Sequence, residues 1–356
     1  LSTKDEIVNR LKAAVIGTGQ ISKEHLAYLQ QSEYAHLVGV CDLSAAAARY
    51  AAKQFQADAA YTNYQEMLEY TRPDIVHILT PAHTHERIAT DCLKAGAHVF
   101  CEKPITPTYN EFKELWAIAQ QHQRHLLEDH NYRFNRPVLE LERLVASGVL
   151  GELRDIEVFI AQDLPNSRFA DANLPNPLQK LPAGVIHDYI THLSYLTLRF
   201  IPDFDSVRAA WRNYSGNPSF KYDNLDAVVI HNDVHARIRF CGTARPDTFT
   251  ILIRGSEGYA STNLFQPHLR CVVPRAGGKV LSPIINHFVN GYDFMTASAK
   301  NFRNKVMQRT VYEGMHRLLD QTYQAVKTNA PLPISFEDME RTNRLIDALV
   351  SEANWI

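Results

Sequence analysis

Lys12-Ala-Ala-Val-Ile-Gly-Thr-Gly-Gln-Ile-Ser22 is the first regular pattern in the chain. The apolar run reads as a strand buried on both faces, and Gly17 cuts it off. Gly17 permits a tight turn, and Gly19 lets backbone N–H groups approach an anion. Gln20 to Gln31 then has the composition of a helix. Strand, glycine turn and helix in this order aim backbone N–H groups at a pyrophosphate on the positive end of the helix. Ser22 replaces the third glycine, so the pattern is G-x-G-x-x-S. Steric need at a strand–helix junction accounts for two such glycines equally well.

Outward from this turn the alternation continues. His36 to Cys41, Asp74 to Leu79, His98 to Cys101 and His125 to Leu127 read as buried parallel strands. Between them Ser44 to Phe55, Thr84 to Ala95 and Tyr109 to Gln121 read as helices. Such alternation predicts right-handed crossovers and a doubly wound parallel sheet, a Rossmann domain over residues 1–131. After Gly151 the texture changes. Leu153 to Ile160 reads as a strand, Leu164 to Pro182 as a Pro- and Asn-rich loop of the kind that covers binding sites, and Gly184 to Phe200 as a helix. Phe204 to Val273 is β-rich and includes a hairpin, Ala227 to His231 and Val234 to Phe240, turning at Asn232-Asp233. Helices near Thr310 to Lys327 and Phe336 to Ala353, separated by Pro331-Leu-Pro333, close the chain. Residues 132–356 are thus expected to form an α+β domain on a large, mostly antiparallel open sheet, the last helices packing back on the first domain.

Asp42 sharpens the glycine turn. It ends the second strand 25 residues after Gly17, where a carboxylate accepts hydrogen bonds from adenosine ribose hydroxyls. It would repel a 2′-phosphate, and Leu43-Ser44 supplies no arginine to bind one. The expected cofactor is therefore NAD in preference to NADP. An N-cap for the following helix is compatible with the same residue.

Two further patterns carry chemistry. Cys101-Glu-Lys-Pro104 ends an apolar run on charged residues, and Pro104 cannot continue a central strand. A solvated surface is the commonest fate of a lysine. At a strand end, however, the Lys103 ammonium can polarise a substrate oxygen, and Glu102 can pair with it or with a ribose. In Gly184-Val-Ile-His-Asp188-Tyr-Ile-Thr-His192, Asp188 and His192 share a helix face, an arrangement suited to acid–base work near neutral pH. An ordinary i,i+4 pair is the plain alternative, but the apolar flanks Val185, Ile186, Ile190 and Leu193 bury this helix.

Composition bounds the rest. The 356 residues exceed the usual single domain, and 37 Lys+Arg against 39 Asp+Glu leave −2, with no electrostatic case for nucleic acid or an anionic membrane. Arg237-Ile-Arg239 reads as the solvated face of a strand. Five scattered cysteines without a C-x-x-C pair point to a reducing compartment, the cytoplasm. No apolar stretch is long enough to span a membrane, and Leu1 to Leu11 is too charged for a signal peptide.

In order and spacing these motifs resemble the Gfo/Idh/MocA (glucose-fructose oxidoreductase, inositol dehydrogenase) family. The resemblance runs through Val15 to Gly19, Thr80-Pro-Ala-His-Thr-His85, Glu102-Lys-Pro104, Asn131-Tyr-Arg-Phe134, the Gly184/Asp188/His192 motif and Pro331 to Ser335. It implies hydride transfer between nicotinamide and a sugar, sugar-acid or cyclitol CH–OH group, and a homodimer or homotetramer built through the C-terminal sheet. It implies a cofactor set of Gly17, Thr18, Gly19, Gln20, Ile21, Asp42, Thr80, Pro81, His85, Glu102, Lys103 and Asn131. Lys103 would assist at the reacting oxygen, Asp188 orient the substrate and His192 act as acid/base, with Asn131 and Arg133 at the nicotinamide end; apart from the resemblance, Arg168 in the Leu164 to Pro182 loop offers a carboxylate or phosphate contact. A structural role for Arg133 and plain solvation for Arg168 are the competing readings. Ala183 and Ala82 depart from the family's glycine and asparagine. Relatives that keep NAD bound for elimination or glycoside cleavage, or that only sense the dinucleotide, supply the alternative functions.

No metal is expected. His231, Asp233 and His235 read as a polar hairpin tip, His122, His125 and His130 as capping or packing groups, and Cys101 as an apolar filler.

Overall fold

In the computed structural model, residues 10–306 and 312–352 are described. The N-terminal reading up to residue 9 and the helix ends expected at Thr310 and Ala353 lie outside them. The chain divides into two compact units. One runs to His130 and takes up Met315–Asn343 as well; the other holds Asn131–Gly314 and resumes at Arg344.

The first unit is a six-stranded parallel sheet. Its strands are β1 (Leu11–Ile16), β2 (Ala35–Cys41), β3 (Ala60–Tyr61), β4 (Ile75–Ile78), β5 (His98–Cys101) and β6 (Leu126–Glu128), in the order β3-β2-β1-β4-β5-β6. The order reverses between β1 and β4, which makes their carboxyl ends the switch point where open α/β sheets bind ligands. Helices α1 (Ser22–Gln31), α2 (Ala45–Phe55), α3 (Tyr64–Thr71), α4 (His85–Lys94) and α5 (Tyr109–Gln121) make the crossovers. Ala13, Ala14 and Val15 of β1 have no exposed surface, as a strand covered on both faces requires. Short β3 and α3 complete the alternation beyond the sequence reading. Thr108 starts α5 with a capping box closed by Glu111.

The second unit begins with the 3₁₀ turn Asn131–Phe134 and helix α6 (Arg136–Ala146), which stops just before Gly148, a glycine placed where a helix should end. Its seven-stranded sheet contains β7 (Leu153–Asp163), β8 (Ser206–Arg212), β9 (Asn224–His231), β10 (Val234–Cys241), β11 (Thr243–Gly255), β12 (Tyr259–Asn263) and β13 (Leu269–Val272), ordered β13-β12-β11-β7-β10-β9-β8. All its pairings are antiparallel except β7 with β10. Helix α7 (Val185–Thr197) supplies Ile186, Ile190 and Leu193 to a core shared with Ile156, Val158 and Ile160 of β7 and Ile238 of β10. Each such side chain contributes about 1.5–3 kcal/mol of hydrophobic stabilisation. The expected hairpin forms with His231 opposite Val234. On β10 Arg237 is exposed and Arg239 half-buried, Arg239 pairing with Asp226 at 2.7 Å.

The segment 164–182 is a chain of short 3₁₀ turns, Leu164–Asn166, Arg168–Ala170 and Pro177–Lys180. A long helix, α8 (Gly278–Val306), occupies residues to which the sequence reading assigned no element. Helices α9 (Glu313–Thr328) and α10 (Phe336–Ser351) follow. Within the first unit Tyr28 donates to Asp320 at 2.9 Å and Tyr109 to Glu340 at 2.6 Å, so α9 and the start of α10 are hydrogen-bonded to Rossmann helices. All five cysteines are free thiols. Among the described residues no helix is long and apolar enough to cross a membrane.

Candidate active site

In the first unit, most of the expected cofactor residues line one sheet edge. Gly17 follows β1 at φ +99°, and an added Cβ would lie 2.8 Å from the carbonyl of Leu79. Both the backbone angle and the close approach therefore demand glycine. Gly19 is different: a Cβ there would meet nothing within 4 Å, which leaves room over the turn. The N-terminus of α1 has no side-chain cap; the N–H groups of Ser22 and Glu24 bond the carbonyls of Gly19 and Ile21 at 3.2 and 3.1 Å. Ser22 is buried and bonds the carbonyl of Gly19 at 2.6 Å, which explains how serine stands in for a third glycine.

Asp42, just beyond β2, ties this turn down. One carboxylate oxygen accepts from Thr18 N–H at 2.9 Å and Thr18 Oγ1 at 2.7 Å, the other from Ser44 N–H at 2.8 Å. Burial disfavours its charge, but the bonds from Ser44 and Thr18 outweigh that and lower its pKa. The N-cap of α2 is Ser44, which accepts from Ala47. Gln20 is exposed and Ile21 half-buried at the same turn.

At the ends of β4 and β5, His85 joins two segments. Its Nε2 lies 2.7 Å from the carbonyl of Thr80 and its Nδ1 3.0 Å from that of Pro104. Burial lowers its pKa, against the upward pull of these carbonyls and of Glu102. Pro81 is exposed, and Ala82, at the departure from the family pattern, is buried. Lys103 is half-buried, and its N–H donates to Glu102 Oε2 at 3.2 Å. Glu102 Oε1 faces Nε2 of buried His25 at 3.3 Å. Burial works against the Glu102 charge, yet His25, Lys103 and Asp129 together keep its pKa below the ordinary carboxylate value. Among the described residues, His25, Glu102 and Asp129 are the only His, Cys or carboxylate groups to bring three donor atoms within 4.8 Å of one another. Cys101 is buried with its thiol pKa pushed up by burial, as a filler should be.

The remaining candidates lie in the second unit. Gly184 sets the start of α7 at φ +62° and ψ −142°, a conformation reserved for glycine, while Ala183 is simply buried in the core. Asp188 in the first turn of α7 is partly exposed; His192 one turn later is 8% exposed. His192 Nδ1 lies 2.7 Å from the hydroxyl of Tyr195, and that hydroxyl donates to Asn131 Oδ1 at 3.3 Å and accepts from Tyr132 N–H at 3.3 Å. Tyr132 meets the imidazole edge-on at 4.8 Å between ring centres. So the structure brings Asn131 and His192 together through Tyr195, a residue the sequence reading does not name. Its three-residue spacing from His192 on a buried helix was the available signal. Arg133 is buried in the 3₁₀ turn that carries Asn131. Arg168 is exposed and packs over the ring of Phe169 at 5.0 Å. Near it, Asp163, Phe169, Arg245 and Asp247 line a cavity of about 750 Å³ at the start of the 164–182 segment. Of the discounted histidines, His125 stacks on His98 at 4.8 Å between ring centres, and His130 Nε2 lies 3.0 Å from Glu128 Oε2.

Residues 11–130 match the family model described as the oxidoreductase family, NAD-binding Rossmann fold, of GFO/IDH/MocA proteins, and residues 138–261 match the GFO/IDH/MocA C-terminal domain. Over 144 residues the chain is 33% identical to the D-glucoside 3-dehydrogenase of Escherichia coli strain K12, covering 40% of this chain and 41% of that one. The chain thus spans less than half the length of that relative. Among solved structures, the WlbA dehydrogenase of Bordetella pertussis in complex with NADH and UDP-GlcNAcA aligns with a TM-score of 0.79 at 17% identity, covering 97% of this chain and 96% of that one. The myo-inositol 2-dehydrogenase of Lactobacillus plantarum aligns with a TM-score of 0.75 at 18% identity, covering 97% of each chain. At these identities the likeness shows the shared fold.

Proposed function

The chain belongs to the GFO/IDH/MocA oxidoreductases, and from that premise we propose that it is an NAD-dependent dehydrogenase of a sugar, sugar-acid or cyclitol CH–OH group. The observation that carries this reading is Lys103 at the carboxyl end of β5, on the same sheet edge as the Gly17 turn and Asp42. The open space over Gly19, the uncapped start of α1 and the ionised Asp42 fit a dinucleotide. NAD, when bound, supplies a hydride acceptor at its nicotinamide carbon.

The chain's own residues handle the proton and the charge. We assign the Tyr195 proton to Asn131, so that its oxygen accepts from His192 Nδ1 and the His192 lone pair lies on Nε2. We assign that Nε2 to take the substrate's hydroxyl proton. The Lys103 ammonium stabilises the alkoxide as it forms, and Asp188 orients the substrate. Thr18, Gln20, Ile21, Thr80, Pro81, His85, Glu102 and Asn131 complete the cofactor set, and Arg133 and Arg168 the substrate set. Asp42 repels a 2′-phosphate, which supports NAD over NADP. The names of the E. coli and L. plantarum proteins support a polyol-like substrate.

The same reading includes assembly into a dimer or tetramer through the solvent face of the seven-stranded sheet. That face carries Arg237 3.2 Å from Asp155, and Arg239 with Asp226. Sedimentation velocity tests it, a monomer at all concentrations being the contrary result. The free thiols support a cytoplasmic setting.

A screen of NAD reduction against sugars, sugar acids and inositols tests the function. NADH should accumulate with at least one class. Product formation without net NADH would favour elimination or glycoside cleavage on permanently bound NAD.

A further inference from the structure

Behind Glu102 lies a buried chain of side chains that the proposed chemistry does not use. The hydroxyl of Tyr323 on α9 is 2.8 Å from His77 Nε2; His77 Nδ1 is 2.9 Å from His25 Nδ1; His25 Nε2 is 3.3 Å from Glu102 Oε1. Tyr323, His77 and His25 have no exposed surface. Phe100 walls them in, stacked on His77 at 5.2 Å and edge-on to His25 at 5.6 Å.

Donor and acceptor counting gives this chain a direction. Among the described residues Tyr323 has one hydrogen-bond partner, His77, so its buried O–H must donate there or go without an acceptor. A neutral His77 that accepts on Nε2 carries its proton on Nδ1 and donates to His25. His25 then accepts on Nδ1 and carries its own proton on Nε2, pointing at the carboxylate. With His25 neutral, the opposite order would turn an imidazole lone pair toward Glu102, which only a protonated carboxyl could tolerate.

We propose that Tyr323, His77 and His25 are positioning residues: a one-way hydrogen-bond chain that always presents an N–H to Glu102, keeping it ionised and aimed so that its other oxygen holds the Lys103 N–H. The proposal deepens the reading of Lys103 above and rests on it for its effect on turnover. Burial holds His77 well below the ordinary imidazole pKa, in keeping with a neutral ring. The other titratable groups facing the chain are Lys103, Asp129, His85 and Cys101 around Glu102, and Tyr28 and Asp74 around Tyr323.

The test pairs nitrogen-15 NMR of the full chain, with labelled histidine, with pH profiles of kcat/KM. In the unaltered protein His77 should be the Nδ1–H tautomer and His25 the Nε2–H tautomer. Tyr323→Phe keeps the ring and removes the donor. It should mix the His77 tautomers and move the acid limb of kcat/KM upward by about half to one pH unit, because Glu102 then ionises less readily. His77→Gln, whose amide both accepts and donates, should restore the limb, whereas His77→Phe should not. A merely structural role would lower the melting temperature in each variant and leave the limb in place. His25 found as the Nδ1–H tautomer, or an unmoved limb in Tyr323→Phe, would overturn the proposal. Lys103→Ala is the control: were it fully active, the dehydrogenase reading would fall, and the tautomer order alone would decide the clamp.

Discussion

The edge of the six-stranded sheet and helix α7 hold their functional side chains by different means. At the sheet edge the ties run largely to backbone: Asp42 to the N–H groups of Thr18 and Ser44, His85 to the carbonyls of Thr80 and Pro104, Glu102 to the N–H of Lys103. On α7, His192 is fixed by a hydroxyl, Tyr195, and by an aromatic wall, Tyr132. A backbone tie needs only the right residue at a strand end, so it can be read from local sequence. A side-chain tie depends on which elements the fold brings together. It follows that substitutions at Gly17 and Asp42 should act on cofactor binding, and substitutions of Lys103 and around α7 on the chemical step.

The largest effect on cofactor binding is expected at Gly17. Alanine there would be forced to φ +99° with its Cβ 2.8 Å from the Leu79 carbonyl. The backbone conformation alone costs on the order of 1–3 kcal/mol. NAD affinity measured by calorimetry should fall at least tenfold, and unchanged binding would mean that the turn is not a cofactor cradle. Tyr195→Phe comes next. With the hydroxyl gone, His192 Nδ1 loses its tie to Tyr195, so kcat should drop roughly 10- to 100-fold with NAD affinity unchanged, the scale of lost orienting partners. An equal loss of NAD affinity would erase the contrast between the two regions. For Asp42→Asn, the ratio of NADP to NAD efficiency should rise by about tenfold, one lost charge interaction of about 1.4 kcal/mol. A constant ratio would remove Asp42 from cofactor choice.

Acid sensitivity is the smallest effect and belongs to the first unit. Burial lowers the pKa values of His77, His85, His98 and His125, that of His98 to about 4. The native state then binds fewer protons than the unfolded chain. Their contribution to stability is present above about pH 6.5 and is lost as pH falls through the lowered values. The melting temperature should decline from pH 7 toward pH 4.5, with His98→Asn flattening part of the slope; a level profile would contradict it.

The contrast also marks what the sequence could disclose. Strand ends at Ile16, Cys41 and Cys101 stood out because fully apolar runs stop at glycine or charge, which follows from burial on both sheet faces. The parallel pairing of β7 with β10 did not, since alternation tells which face is buried and says nothing of the neighbour. Helix α8 escaped because Gly277-Gly278 and Pro283 punctuate it and its apolar residues, such as Phe288 and Tyr292, are exposed and make no inward stripe. His25, His77 and Tyr323 carry no pattern of their own; His77 and Tyr323 are 246 residues apart and meet only in the fold. Tyr195 could have been suspected from its place one turn beyond His192. Its partner Asn131 was read as a cofactor contact, which did not link the two.

The most direct test of the account is turnover in Lys103→Ala and His192→Ala on a substrate the unaltered protein oxidises, with NAD binding measured alongside. Both variants should bind NAD as before and lose about 10²- to 10⁴-fold in kcat, the scale of a missing acid–base or electrostatic group. Full activity in both would contradict the mechanism.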